Sequence, residues 1–379
     1  MKILQVSPYL SRSSGGPAVS VRRLSQELAR MGVQIAATGV TSLFSDMDAA
    51  CWQPVQVQAL AAEFPRFFSY SAKFPDQLSA YRPEIVHSNG LWLYPHLASY
   101  RYCAGQNLPL VVSARGMLEP WAFRHKTWKK RPLWWAYEKR ALQSARVLHA
   151  TAIQEAEALR GLGLTNPIAV IPNGVDLPAD CPHSPSVDGI RTALFLSRIH
   201  PKKGLLNLIN AWSAVRPKGW RMVIAGPEES GHEAELREAV QRAGLQDVFV
   251  FAGPVYDGQK TALLQQASLF ILPSFSENFG IAIAEALADC IPVITTTGTP
   301  WRELEERGCG WWVDIGVEPL AAALEKATCL PEDDLCRMGH RGRQLVEERY
   351  SWTTVARDMK KVYEWILTGG APPDCVLMD

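Results

Sequence analysis

Apolar residues along this chain fall into two alternating rhythms. Short, nearly uninterrupted apolar runs occur at Ile3–Val6, Gln34–Val40, Glu84–His87, Leu110–Ser113, Arg146–Ala150 and Ile168–Ile171. Runs of this kind predict strands buried on both faces. Between them the period changes. Within Val19–Met31, the residues Val21, Leu24, Leu28 and Met31 recur at helical spacing, which predicts an amphipathic helix. Strand and helix in alternation imply a parallel sheet covered on both sides. The rhythm stops across Pro172–Ser186, where Pro172, Gly174, Pro178, Pro182 and Pro185 predict a linker. It resumes with expected strands at Ala193–Ser197, Arg221–Ala225, Phe249–Ala252, Leu269–Leu272 and Val293–Thr296. The pattern therefore predicts an α/β protein of two doubly wound domains in tandem. Ser351–Leu367 predicts a last amphipathic helix, with Trp352, Val355, Met359, Val362, Tyr363 and Ile366 on one stripe. Gly369–Asp379, with Pro372 and Pro373, is expected to be a frayed tail.

The length of 379 residues suits two domains. Apolar residues at 47% and charged residues at 20% give each half enough material for its own core. Thirty-nine basic residues against 38 acidic ones leave a net charge of +1. That balance excludes a dedicated nucleic-acid binder, which needs a strong basic excess. The eight cysteines include no C-x-x-C pair, so zinc-ligand spacing is absent, and their scatter suits a reducing compartment. The first apolar run is too short for a signal peptide, and no stretch approaches the ~18 apolar residues of a membrane span. A soluble cytoplasmic protein is expected, with contact at the inner face of a membrane left open.

Open α/β sheets bind ligands at the carboxyl ends of their strands, so the chemistry is sought there. After the first strand comes Ser11-Arg12-Ser13-Ser14-Gly15-Gly16-Pro17. Glycines at a strand-to-helix turn let backbone N–H groups approach a phosphate or sugar, although the spacing is not a dinucleotide fingerprint. The second half opens with Ser197-Arg198-Ile199-His200-Pro201-Lys202-Lys203-Gly204. Arg198 offers a planar fork for phosphate oxygens and Lys203 a mobile point charge; a solvated basic loop is the plainer reading. The most informative segment is Pro273-Ser274-Phe275-Ser276-Glu277-Asn278-Phe279-Gly280-Ile281-Ala282-Ile283-Ala284-Glu285-Ala286-Leu287. A strand ends, a polar loop follows, and a small-residue helix begins near Gly280. Its N-terminal N–H groups suit a diphosphate, and Glu277 and Glu285 flank that place with carboxylates able to accept sugar hydroxyls. A helix cap for Glu277 and a surface charge for Glu285 are the plainer alternatives. Trp121–Arg140 interleaves Arg124, Lys126, Lys129, Lys130, Arg131, Lys139 and Arg140 with Trp121, Phe123, Trp128, Trp134, Trp135 and Tyr137. That mixture suits an anionic membrane interface, a lipid diphosphate or a glycan acceptor, or else a half-buried helix with a solvated basic face.

Taken together, these motifs resemble the retaining glycosyltransferases of the GT-B class known as family 4, over nearly the whole chain. The resemblance rests on Gly15-Gly16, on Arg198 with Lys203 in S-R-I-H-P-K-K-G, on the Glu277-x7-Glu285 pair, and on the linker Pro172-Asn173-Gly174-Val175-Asp176. It implies two Rossmann-like domains facing across a cleft, residues 1–172 and 173–351. The first would be completed by a crossing-back helix at 352–369, with 370–379 as the tail. It implies that Gly15 and Gly16 lie against the donor phosphates and that Arg198 and Lys203 neutralise the leaving diphosphate. Glu277 would bind the transferred sugar, with the backbone N–H groups of Asn278, Phe279, Gly280 and Ile281 nearby, and Glu285 would hold the ribose. Donor and acceptor would be a UDP- or GDP-linked hexose and a glycan or lipid-linked carrier, in bacterial surface polysaccharide synthesis. One departure stands out. Many relatives have a histidine after the fourth strand, where this chain reads Ser113-Ala114-Arg115-Gly116-Met117. Arg115 can hold an anion but cannot act as a base at neutral pH, and His87, at another strand end, is a second acceptor-side candidate. Glu332-Asp333-Asp334 falls in a C-terminal helical region, and neither metal nor cofactor is expected. With no carboxylate placed as a nucleophile, same-face attack is expected, the donor phosphate taking the acceptor proton. A sugar-nucleotide epimerase of the same architecture and a non-catalytic sugar-binding subunit are the rival readings. A periplasmic binding protein would need an export signal.

Overall fold

A computed structural model describes every residue except 9, 12–15, 41–43, 120–126, 180–188, 230 and 379. The chain divides into two compact units, Met1–Gly174 with Trp352–Asp379, and Val175–Ser351.

Unit 1 is built on β1 (Lys2–Val6), β2 (Gln34–Val40), β3 (Gln56–Leu60), β4 (Ile85–Asn89), β5 (Leu110–Ser113), β6 (Val147–Ala150) and β7 (Ile168–Val170). A terminal strand, Val376–Leu377, completes the sheet, whose order is terminal strand, β7, β6, β5, β4, β1, β2, β3. All neighbours are parallel except the terminal pair. Alternate residues feed two cores, as a strand buried on both faces requires. Leu4, Val6, Val86, Val112 and Leu148 pack on one side; Ile3, Ile85, Val111, Val147 and Ala169 pack on the other. The second core takes in helices Gly16–Arg30 and Trp352–Thr368. In the last helix Trp352, Val355, Met359, Val362 and Tyr363 are buried and Ile366 half-buried, the stripe that its periodicity predicts.

Unit 2 holds β8 (Arg191–Leu196), β9 (Trp220–Ala225), β10 (Phe249–Gly253), β11 (Leu269–Leu272), β12 (Val293–Thr296) and β13 (Gly310–Val313), ordered β10, β9, β8, β11, β12, β13 and parallel throughout. Helix Leu205–Val215, after β8, packs on Val317–Cys329, whereas Ile281–Ala288, after β11, packs on Glu332–Arg349. The connections out of the adjacent strands β8 and β11 therefore diverge. The carboxyl ends of these two strands are the topological switch point, where open sheets bind ligands.

The structure corrects several sequence expectations. The expected tail instead carries Val376, which is buried and pairs antiparallel with Ala169, while the Cys375 carbonyl accepts the Val170 N–H at 2.8 Å. The pairing covers β7, which would otherwise be a bare edge. The strands β3 and β13 escape the pattern because both are edges. Gln56-Val57-Gln58-Ala59-Leu60 alternates polar and apolar residues, and Gly310-Trp311-Trp312-Val313 opens on a glycine. The expected scatter of free thiols holds at Cys51, Cys103, Cys309, Cys329, Cys336 and Cys375. It fails at Cys290, which is disulfide-bonded, and Cys181 lies outside the described residues.

Candidate functional site

At the switch point of unit 2, three strand exits are tied together. The segment leaving β8 makes one 3-10 turn, Pro201–Lys203, with the His200 imidazole accepting the Lys202 N–H at 3.0 Å. Gly204 then turns into helix Leu205–Val215 at φ +70°, and a Cβ there would stand 2.1 Å from the Pro273 carbonyl oxygen. Only glycine allows both that backbone conformation and that approach. The Phe275 N–H donates to the Lys202 carbonyl and the Glu277 N–H to the Gly298 carbonyl, each at 2.8 Å. The exits of β8, β11 and β12 are thus joined by backbone bonds, which fix the side chains they carry.

Lys203 Nζ donates to Glu277 Oε1 at 2.5 Å, and the fully buried Ser274 hydroxyl donates to the same oxygen at 2.6 Å. The side chains of Lys203 and Glu277 are 11% and 13% exposed, so the pair is largely dry and each charge depends on the other. Among the described contacts, Glu277 Oε2 and the other two Lys203 N–H bonds make no hydrogen bond. Eight residues beyond Glu277, Glu285 lies inside helix Ile281–Ala288, and Lys260 Nζ donates to its Oε1 at 2.6 Å. Gly280 opens that helix at φ +79°, while the Trp301 indole donates to the Phe279 carbonyl at 2.6 Å and pins the turn. Asp289, one turn past Glu285, has its carboxyl pushed up to about 6 by burial and then by the Glu285 charge. Arg198 is not joined to this cluster by any described contact. Its side chain, 65% exposed, donates to Glu229 Oε2 at 2.7 Å, on the loop after β9. Lys203, Glu277 and Ser274 are thus brought together and Arg198 is not. Sequence alone does not single out Ser274 or Lys260; the first is a small polar residue in the loop after β11, and the second lies on a separate helix with no motif of its own.

In unit 1 a polar row crosses the sheet. The His149 Nε2 partner is the Ile171 carbonyl, 2.8 Å away, which only accepts. Nε2 therefore carries the proton and Nδ1 accepts from the Ser113 hydroxyl at 2.6 Å. Ser113 in turn accepts from His87 Nε2 at 2.7 Å, and His87 Nδ1 accepts from the Tyr363 hydroxyl at 2.6 Å. Tyr363 accepts from the Gln5 amide at 3.1 Å. Gln5 Oε1 accepts from Asn89, and Arg115 donates to both Asn89 Oδ1 and Asn173 Oδ1, each at 2.8 Å. This corrects the expectation for His87. It is fully buried beneath the last helix, bonded through both ring nitrogens, and does not reach an acceptor. Arg115 is half-buried at φ +54°, held by two asparagines at the carboxyl edge of the sheet. Gly16 is exposed at the first turn of its helix, and Gly15 lies outside the described residues.

Both histidines are neutral in this row. Burial holds His87 well below its usual value, helped by His149 and Arg115, and lowers His149 to about 3, helped by Arg115. Protonating either ring would set donor against donor. The unfolded chain takes up these protons near pH 6.5 and the folded chain does not, so stability is full above that pH and falls as pH drops towards 3. The expected slope is up to ~1.4 kcal/mol per pH unit for each histidine. His149→Gln can donate to Ile171 and accept from Ser113, so urea midpoints between pH 6.5 and 4 should show about half the slope these two histidines contribute. An unchanged slope would contradict the neutral row.

The basic and aromatic segment is helical where described: Thr127–Leu133, a π-helical turn Trp134–Glu138, then Lys139–Ser144. Residues 120–126, including Trp121, Phe123, Arg124 and Lys126, lie outside the described residues. Trp134, Tyr137 and Glu138 are buried, and Glu138 pairs with His96 at 3.1 Å, whereas Trp128 and Trp135 are 74% and 69% exposed. Phe64 and Phe67, which sequence reasoning passed over, are exposed as well. The two segments flank the connection from β4 into helix Tyr94–Gln106: Phe68 lies tilted against Tyr94, and Trp134 lies near Trp92. Among the described residues no helix is long and apolar enough to cross a membrane, and no cluster of His, Cys, Asp or Glu could hold a metal ion.

Comparison with known proteins accords with this geometry. The family described as "Glycosyltransferase Family 4" matches residues 14–178, and "Glycosyl transferases group 1" matches residues 182–345. GDP-mannose:cellobiosyl-diphosphopolyprenol alpha-mannosyltransferase of Xanthomonas oryzae pv. oryzae is 31% identical over 290 residues, covering 74% of each chain. Among solved structures, sucrose-phosphate synthase of Thermosynechococcus elongatus superposes with a TM-score of 0.77 at 18% identity, covering 98% of this chain and 100% of that one. Anabaena HepE in complex with UDP and glucose gives 0.75 at 18% identity, covering 96% and 99%. Each is built, like this chain, from two Rossmann-like units in the GT-B fold. The chain belongs to the family 4, or group 1, glycosyltransferases and is a transferase acting on a nucleotide sugar.

Proposed function

We propose that the protein is a metal-independent, retaining mannosyltransferase that moves mannose from GDP-mannose to a lipid diphosphate-linked oligosaccharide in bacterial surface polysaccharide synthesis. The observation that carries the reading is the largely dry Lys203–Glu277 pair at the switch point of unit 2, whose remaining hydrogen-bonding capacity is unused among the described residues. The named activity of the Xanthomonas relative supports the choice of donor and acceptor. Lys203 donates to the diphosphate. Glu277 Oε2 accepts from a hydroxyl of the sugar. The N–H groups of Asn278 to Ile281 and the positive end of helix Ile281–Ala288 face the phosphates, and Glu285 accepts from the ribose. Arg198 reaches the diphosphate by exchanging Glu229 for it, and Gly16 lies near the donor phosphates. On the acceptor side, Arg115 holds an anion.

In the transfer the bond from the anomeric carbon to the β-phosphate oxygen breaks, and its electrons leave with GDP. The acceptor hydroxyl bonds to the same face of the carbon and its proton passes to a phosphate oxygen. Lys203 stabilises the charge growing on that oxygen, and preorganised cations of this kind supply a large share of such catalysis. The test is transfer from GDP-mannose to a diphosphate-linked disaccharide on a short polyprenol, with and without EDTA, read by mass and by the anomeric NMR coupling. An α-linked product formed equally well in EDTA supports the reading. Donor conversion without acceptor would point to an epimerase, a β product would end the retaining assignment, and loss in EDTA would end metal independence.

The second part of the reading is a docking face on the cytoplasmic side of the membrane. Trp128 and Trp135 lie on one helical face seven residues apart, Arg131 and Arg140 are exposed beside them, and Phe64 and Phe67 extend the aromatic surface. Basic residues near an anionic surface contribute ~1 kcal/mol each at low salt. The protein is expected to pellet with vesicles containing anionic lipid at low salt, and Phe67→Ser with Trp135→Ser should release it. Equal, poor pelleting with neutral and anionic vesicles would exclude the face.

A further inference from the structure

Among the described residues, each carboxylate of the Glu277–Glu285 pair has one oxygen bonded inside unit 2 and one that makes no hydrogen bond. Lys203 and Lys260, which take bonded oxygens, come from other elements, and Ser274 lies three residues before Glu277. We propose that Ser274 and Lys260 are positioning residues of the donor site, Ser274 for the half that reads the sugar and Lys260 for the half that reads the ribose. The inference rests on the donor-site reading above.

Lys203 alone cannot fix Glu277, because its ammonium sits on a flexible four-carbon stem. Ser274 has one rotor, is fully buried, and leaves β11 with its carbonyl accepting from the Thr296 hydroxyl of β12. Its single proton goes to Glu277 Oε1 at 2.6 Å. Two donors on one oxygen, one of them rigid, set the plane of the carboxylate and so the direction of Oε2. Lys260 plays the corresponding part for Glu285 from a separate element, helix Asp257–Gln265, which follows β10. Asp289 lies one turn beyond Glu285 and their charges repel, while the Lys260 charge offsets part of that repulsion at Asp289. Without Lys260, Glu285 would keep its neighbour's repulsion and lose the bond that orients it.

Two affinity ratios separate these roles, measured by calorimetry on the full chain without acceptor. The ribose ratio compares 2′,3′-dideoxy-GDP with GDP; the sugar ratio compares GDP with GDP-mannose. A hydrogen bond to a charged group should make each ratio roughly tenfold or more in the natural protein. Ser274→Ala should collapse the sugar ratio and keep the ribose ratio, while Lys260→Met should do the reverse. Retention of one ratio in each variant shows that the site is folded, and a merely structural role would move both together. If the natural protein shows both ratios and the variants keep both, or lose both, the positioning roles are wrong and the donor site stands. A tighter ribose ratio in Lys260→Met would mean that Lys260 masks Glu285. If the natural protein binds no GDP or shows neither ratio, the donor-site reading itself fails and the inference goes with it.

Discussion

Lys203→Ala is expected to lower kcat/KM by roughly 10²–10³-fold, the usual loss when one preorganised donor to a developing oxyanion is removed. The fall should appear mainly in kcat, since the charge it meets grows as the sugar leaves. Two effects combine in this variant. The diphosphate loses a cation, and Glu277 becomes a nearly buried carboxylate whose one remaining hydrogen bond among the described residues comes from Ser274. Lys203→Arg should not rescue it, because the planar fork does not fit a position shaped for a point charge at 2.5 Å from Glu277. Initial rates with saturating acceptor and varied donor check this. A change confined to KM would place Lys203 in ground-state binding only.

Gly204→Ala is expected to lower stability sharply. A methyl group would meet the Pro273 carbonyl oxygen at 2.1 Å, and φ +70° is itself unfavourable for alanine. Overpacking against backbone typically costs ~1–3 kcal/mol and a left-handed alanine about 1 more, so ~2–4 kcal/mol is expected. For a unit of this size that lowers its melting temperature by roughly 5–15 °C. The exits of β8 and β11 would have to part, so Lys203 and Glu277 should lose their contact and activity should fall with stability. Gly219→Ala, also at φ +70° but with open space around it, provides the comparison: strain without collision should cost about 1 kcal/mol.

How far the fold could be read from the residues follows from burial. The strands β2, β5, β11 and β12 have the bounds their runs predict, because both faces are covered and all their positions but Gln34 are buried. Strands β3 and β13 and the terminal strand were missed because an edge needs no such run. In the site, Glu277 and Glu285 were legible from a strand, loop and helix in sequence, and Lys203 from its loop. Three features were not. That Arg198 turns to Glu229 depends on how the β8 and β9 exits lie side by side. The Lys260 bond joins two successive helices across a strand and a loop. His87 looks like a ligand at a strand end until the last helix, some 276 residues later, lays Tyr363 on it. Long-range contacts of this kind leave no local periodicity to read.

Titration of GDP against the natural protein and Lys203→Ala, with UDP alongside, tests the central assignment most directly. The account predicts that GDP binds the natural protein in the presence of EDTA, that UDP binds more weakly, and that Lys203→Ala weakens GDP by tenfold or more, as loss of a charge-assisted bond implies. GDP binding with undiminished affinity to a folded Lys203→Ala variant would contradict it, since the diphosphate would then lie somewhere other than the switch point between β8 and β11.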